Sequence, residues 1–226
     1  MLGIETATAR GSVAVVGPEG PIGARAAHVP RGHLEWLLPA IDELLTALGL
    51  TRQAVEGLAV SIGPGGFTGL RIGLMTAMAW AVGAGRPVVA VSTLAAIAVG
   101  LQHRGLGLAV LDARREQVTA ALFRADAGGA HRLTPDLLVR PADLPEQLPP
   151  IHEPVLLAGD ALERRAGALL AALAPHATAA PPEQWWPRAE VVGVLGRARL
   201  AAGESDDPLR LVPRYARAPD APEFRA

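Results

Sequence analysis

Short apolar-rich runs open the chain. Leu2–Thr6, Ser12–Gly17 and Ile22–His28 are separated by the turn-forming Ala9-Arg10-Gly11 and Pro18-Glu19-Gly20, a pattern that predicts three successive strands. From Leu34 the period changes. Leu34, Leu37, Leu38, Ile41, Leu44, Leu45 and Leu48 recur at intervals of three and four while Glu35, Asp42 and Glu43 take the other face, predicting an amphipathic helix closed by Gly49. Pro39 either kinks this helix or marks its first turn, because it removes one backbone donor. Gly57–Ile62 then reads as a strand, Thr68–Val82 as a helix with Thr68 at its N-cap, Pro87–Val91 as a strand, and Ser92–Leu101 as a helix capped by Ser92. The order is βββαβαβα.

After Leu101 the order restarts. Leu106–Leu111, Glu116–Arg124 and an extended piece within His131–Arg140 are followed by a short Pro-rich helix near Ala142–Gln147. A strand at Val155–Ala158, a helix at Leu162–Leu173, a strand near Ala177–Ala180 and a helix at Ala189–Ala202 complete a second βββαβαβα. Two tandem copies predict an α/β, two-lobed, actin-like (ASKHA, ribonuclease H-like) architecture. Its expected lobes are 1–103 and 104–207, with the tail 208–226 packing back on the first.

Composition narrows the chemistry. All 21 basic residues are Arg, and the chain has no Lys, Cys or Asn. That removes Schiff-base chemistry, a Walker phosphate loop, thiol catalysis and N-glycosylation, although coding bias is the simplest cause of the pattern. A formal net charge of −1, with Arg and acids interspersed, disfavours tight independent binding to nucleic acid. The N-terminus has no basic region before an apolar core, and the apolar stretches Ile72–Gly85 and Val88–Leu101 fall short of the roughly 18 residues a membrane span needs. The expectation is a soluble cytoplasmic protein with no membrane contact.

The most unusual segment leaves a strand, turns on Gly63, Pro64, Gly65 and Gly66, and enters a helix at Phe67, Thr68, Gly69 and Arg71. Such a loop can present backbone N–H groups to an anion, or it can be a tight turn before a closely packed helix. The specific phosphate motifs fail: there is no Lys, and no acid occurs between Glu56 and Asp112. In the helix, Gly69, Gly73 and Ala77 form a smooth strip open to close backbone approach, while Leu70, Leu74, Met75, Met78 and Val82 cover other faces. A helix apolar all round is buried on more than one side, by this chain or by another.

The segment Gly63 to Gly73 resembles GPGSFTGLRIG, the signature of the TsaB (YeaZ) family, with Gly66 where Ser is usual. Leu2 to Thr8 resembles its LxIDTST, with Glu5 for Asp. Arg31 to Ile41 is similar to its RxHSExLLPxI, and Leu111 to Val118 to its DARxGEVY, with Gln117 and Thr119 departing from the commoner residues. Echoes continue at Ala158-Gly159-Asp160 and Pro213-Arg214-Tyr215. The resemblance implies a non-catalytic subunit that binds and activates the catalytic TsaD, with the ATPase TsaE joining. That complex modifies the adenosine next to the anticodon in tRNAs reading ANN codons, and tRNA is an indirect partner of this chain through the complex. It also implies a homodimer when the chain is alone. The partner interface is expected at Leu34, Leu37, Leu38, Ile41, Leu45, Leu70, Leu74, Met75 and Met78, so that Met78→Glu or Leu74→Glu would abolish pairing without unfolding.

No catalytic residue and no intrinsic cofactor is expected, with ATP or ADP placed at the partner interface. Catalytic relatives hold a metal through paired His, whereas the matching Ala90–Ala98 has no His, Asp or Glu. His28 and His33 with Glu35 lack a third ligand at a recognised spacing and read as helix-start or surface residues. Glu5 and Asp112 end equivalent first strands, where actin-like ATPases keep carboxylates for magnesium, so Glu5, Thr6 and Asp112 are candidates for residual nucleotide contact. The competing reading is an ATP-dependent small-molecule kinase or ATPase of the same fold. Trp185-Trp186 is either a base-stacking pair or a satellite core.

Overall fold

Alternation along the first strands builds a sheet with one bulky face and one smooth face. The computed structural model describes residues 1–127 and 129–217. Strands β1 (Leu2–Glu5), β2 (Arg10–Gly17) and β3 (Gly20–His28) form an antiparallel meander. Helix α1 (His33–Ala47) leads to β4 (Leu58–Gly63), α2 (Phe67–Ala84), β5 (Val88–Ser92) and α3 (Thr93–Gly100). With β4 parallel to β1 and β5 parallel to β4, the sheet order is β3-β2-β1-β4-β5.

The second half repeats this. It comprises β6 (Gly105–Asp112), β7 (Val118–Asp126), β8 (Gly129–Arg132), β9 (Leu137–Val139), α4 (Leu144–Gln147), β10 (Val155–Ala158), α5 (Leu162–Ala172), β11 (Ala177–Ala179) and α6 (Ala189–Ala201). Its order, β8-β7-β6-β10-β11, has the same parallel and antiparallel pairings, with β9 an added strand on β7. The extended piece expected within 131–140 is therefore two short strands.

Side-chain size decides which helix covers which face. Leu2, Ile4, Leu58, Val60 and Ile62 point to α1 and α2, joining Leu37, Ile41, Leu44, Leu45 and Leu74 in one core. Leu106, Leu108, Val110, Val118 and Leu122 likewise meet Leu162 and Leu169 of α5. The other face of the first sheet is small at its centre, while that of the second carries Leu111 and Phe123. Gly3 and Ala59 meet α6, which packs against β1, β2, β4 and β5, whereas α3 packs under β6, β7 and β8. The last helix of each half thus leans on the other half's sheet, so α6, placed with the second lobe by sequence, lies on the first. A Cβ on Gly3 would meet the Ala189 carbonyl, one on Gly193 would sit 2.6 Å from Val16 Cγ2, and one on Gly196 would meet Ala59 Cβ. Ser12 Oγ of β2 also accepts from Ala189 N at 3.0 Å, capping α6 from a distant strand.

Other local expectations change. Gly66, not Thr68, occupies the N-cap of α2, and it offers no side-chain cap. Ser92 does cap α3, accepting from Ala95 N at 3.4 Å. Pro39 lies inside α1, nearly two turns beyond its start at His33. By length and composition α2 is long and apolar enough to cross a membrane. It is instead laid on the first sheet by its Gly69, Gly73, Ala77 and Ala81 strip. Ahead of the expected tail Asp206 pairs with Val88 of β5, and within the tail Arg214 N donates to the Ile62 carbonyl at the end of β4; residues 218–226 lie outside the described residues.

Candidate functional site

Two surfaces concentrate the unusual residues: the signature loop with the strand ends beneath it, and the outer face of α1 and α2. At the first, the turn after β1 sits in a socket made by the start of α2. Thr6 Oγ1 donates to the Gly69 carbonyl at 2.8 Å, and Gly66 N donates to the Ala7 carbonyl at 2.7 Å. A Cβ on Gly65 would collide with Ala7, one on Gly69 with the Thr6 carbonyl and one on Gly73 with Thr6 Oγ1. The smooth strip read as an approach path for another backbone is filled by this chain's own turn. Close packing, the second reading of the loop, accounts for Gly65, Gly69 and Gly73.

Below the loop lie the carboxylates. Glu5 is fully buried, its Oε1 accepting from Ala7 N at 2.6 Å and its Oε2 from the Ser61 hydroxyl. Burial outweighs both bonds and pushes its pKa up to about 7. Asp112, at the end of β6, accepts from Arg165 Nε at 3.1 Å. Asp160, just beyond β10, accepts from Asp112 N at 2.8 Å and is likewise pushed up to about 7 by burial. Glu5 and Asp112 do end matching strands, and Thr6 lies beside Glu5. Glu5 and Thr6 are engaged by their own chain and buried, whereas Asp112 is held through Oδ1 and stays about a quarter exposed, so the set turns one carboxylate at most toward a magnesium nucleotide.

The remaining candidates separate. His33 is buried beside Gly69, and burial holds its imidazole below the usual range against a hydrogen bond to the Thr8 carbonyl. His28 instead meets Trp186 edge to face, and Glu35 is exposed. Among the described residues, no three His, Cys, Asp or Glu come together as a metal group. Trp185 packs against the second half's core and donates from Nε1 to the Ala180 carbonyl at 2.7 Å.

The second surface corrects the expected interface. Leu37, Ile41, Leu45, Leu70 and Leu74 are at most 2% exposed, because the first sheet needs them as its cover. They are unavailable to a partner. Leu34 (68% exposed), Leu38 (55%) and Met75 (61%) do face outward, and Met78 is half-buried. Two neighbours that the periodicity left out of the interface join them: Phe67 and Val82 are also exposed. Phe67, Arg71, Met75, Met78 and Val82 run at intervals of four, four, three and four, one stripe along α2. Between the helices lies a groove of about 740 Å³ lined by Leu38, Ile41, Met75, Ala79 and Trp80 and edged by the Asp42–Arg52 ion pair.

The family model described as TsaD, tRNA N6-adenosine threonylcarbamoyltransferase, matches residues 23–177, more than half of the chain. The Escherichia coli protein named tRNA threonylcarbamoyladenosine biosynthesis protein TsaB is 37% identical over 132 residues, 57% of each chain. Its Bacillus subtilis namesake is 29% identical over 98% of this chain and 95% of its own. The solved structure of YeaZ from Pseudomonas aeruginosa superposes with a TM-score of 0.82 at 27% identity, covering 95% of this chain and 98% of the other. An activator of 2-hydroxyisocaproyl-CoA dehydratase from Clostridium difficile, solved with bound ADPNP, shares the fold alone, at a TM-score of 0.52 and 11% identity over 92% of this chain and 98% of its own.

Proposed function

Because the chain belongs to the family of the TsaD model, and within it to the TsaB (YeaZ) proteins, we propose that it serves tRNA threonylcarbamoyladenosine biosynthesis as a non-catalytic docking subunit. In this reading it binds the catalytic TsaD through the outer face of α1 and α2. Docking orders the partner for transfer of a threonylcarbamoyl group to the adenosine beside the anticodon. TsaE joins the assembly in the cytoplasm, ATP or ADP is held at the shared interface, and the same face pairs two copies when the chain is alone.

One observation carries the proposal: α2 is apolar on both sides, yet beyond the Tyr215 contact at its start the described residues cover only one of them. Leu34, Leu38, Met75 and Val82 are each more than half exposed on adjoining helices. Leaving such a surface in water costs about 25 cal/mol per Å² relative to burying it, so a partner helix gains directly by covering it. The strand-end carboxylates support the non-catalytic part, since Glu5, Asp112 and Asp160 are held by Ser61, Arg165 and backbone N–H groups.

Co-purification tests it. This chain is expected to form a stable complex with the threonylcarbamoyltransferase of the same cell, and Met75→Glu to abolish the complex while leaving the fold intact. A Met75→Glu chain that binds as tightly as wild type would contradict it.

A further inference from the structure

The tail beyond α6 crosses the molecule. Asp206 N donates to the Val88 carbonyl at 2.9 Å, and its Oδ2 accepts from Ala90 N at 2.8 Å, fixing the tail to the edge of β5. Arg214 N then donates to the Ile62 carbonyl at 2.6 Å, at the end of β4. The Arg214 carbonyl occupies the space a Cβ on Gly63 would need, and Gly63 has a φ of 119°, so both the space and the backbone require glycine there. Next, the Tyr215 ring stacks on Phe67, centroids 4.9 Å apart and planes 28° apart. Arg71 closes the arrangement: its Nε donates to Tyr215 Oη at 2.8 Å, and its guanidinium lies 3.7 Å from the Phe67 centroid. Two residues on, Arg217 donates to Gln117, in the turn between β6 and β7 of the second half.

Three signature residues, Gly63, Phe67 and Arg71, therefore contact the chain's own tail. We propose that residues 213–217 are a strap that ties the second half to the start of α2, with Tyr215 as its latch, and that the closed latch holds α2 in the position its docking face requires. Phe67 and Arg71 belong both to the latch and to the exposed stripe that continues through Met75 and Val82. Movement of the strap is thus felt at one end of that face. The second part of the proposal rests on the docking function proposed above; the strap itself does not.

The test uses the full chain with Tyr215→Ala and Tyr215→Phe, read by amide hydrogen exchange and by sedimentation with and without the transferase. Loss of the stacked pair and of the Arg71 contact predicts about tenfold faster exchange over 67–71 in Tyr215→Ala, and about tenfold weaker association. Tyr215→Phe keeps the stacking and should stay within about threefold of wild type in both. Far-ultraviolet circular dichroism and protection of β1 and β4 should not change, which separates a latch from a general loss of stability. Unchanged exchange over 67–71 in Tyr215→Ala would overturn the strap. Faster exchange with unaltered association would overturn its link to docking. A wild-type chain that associates with nothing would instead remove the proposed function, and exchange alone would then decide the strap.

Discussion

Thr6 and Gly69 are locked together from both sides: the Thr6 hydroxyl donates to the Gly69 carbonyl at 2.8 Å, and the Thr6 carbonyl lies where a Gly69 Cβ would go. The turn after β1 and the start of helix α2, 63 residues apart in sequence, meet there at backbone distance. Gly69→Ala should therefore destabilise the fold by about 2–3 kcal/mol, an overpacking cost against backbone that cannot yield, and Gly73→Ala by less, because it meets the Thr6 side chain. Urea unfolding checks this, and Gly83→Ala, where a Cβ meets nothing, is the matched control.

On α1 and α2, neighbouring apolar residues are expected to behave oppositely. Leu74→Ala should cost about 2–5 kcal/mol of stability, and Leu74→Glu should unfold the chain, because Leu74 is 1% exposed. Met75→Glu and Leu38→Glu should leave the melting temperature unchanged and abolish association. Melting curves and sedimentation on the same samples distinguish the two classes.

Stability should depend on pH through Glu5 and Asp160. Both carboxyls are raised from about 4 to about 7 by burial, so the folded state holds their protons more tightly than the unfolded chain does. Their contribution is complete below pH 4, falls as pH rises from about 4 to 7, and is gone above 7. Glu5→Gln should remove part of that slope and gain about 1–3 kcal/mol over wild type at pH 8. Unfolding free energies at pH 5 and pH 8 measure the difference.

Helix α6 should be released from the first sheet by bulk at its glycines. Gly196→Val would push into Ala59 and Val89. The expected result is a loss of at least 2 kcal/mol, with amide protection falling in β1 and β4 as well as in α6.

These particulars show what was readable in advance. The doubled βββαβαβα order followed from periods of two and of three to four, since a strand or helix imprints its own repeat on its residues. Burial within α1 did not: Leu34 and Leu38 share the spacing of Leu37 and Ile41, and only the position of the sheet decides which pair faces out. The placement of α6 depends on Gly3, Ala59, Gly193 and Gly196 meeting across almost 200 residues, a relation no local period encodes. In the candidate site, Glu5, Thr6 and Asp112 could be found as the ends of first strands, together with the residue just after. Asp160 and Tyr215 appeared only as faint family echoes, because their partners, Asp112 N and Phe67 with Arg71, are distant in sequence.

The most direct measurement is threonylcarbamoyladenosine formation on tRNA by the catalytic transferase of the same cell, assayed without this chain, with it, and with its Met75→Glu variant. A docking subunit predicts product only with the wild-type chain, and none from the chain alone. Equal product in all three reactions, or transfer by this chain without its partner, would contradict the account.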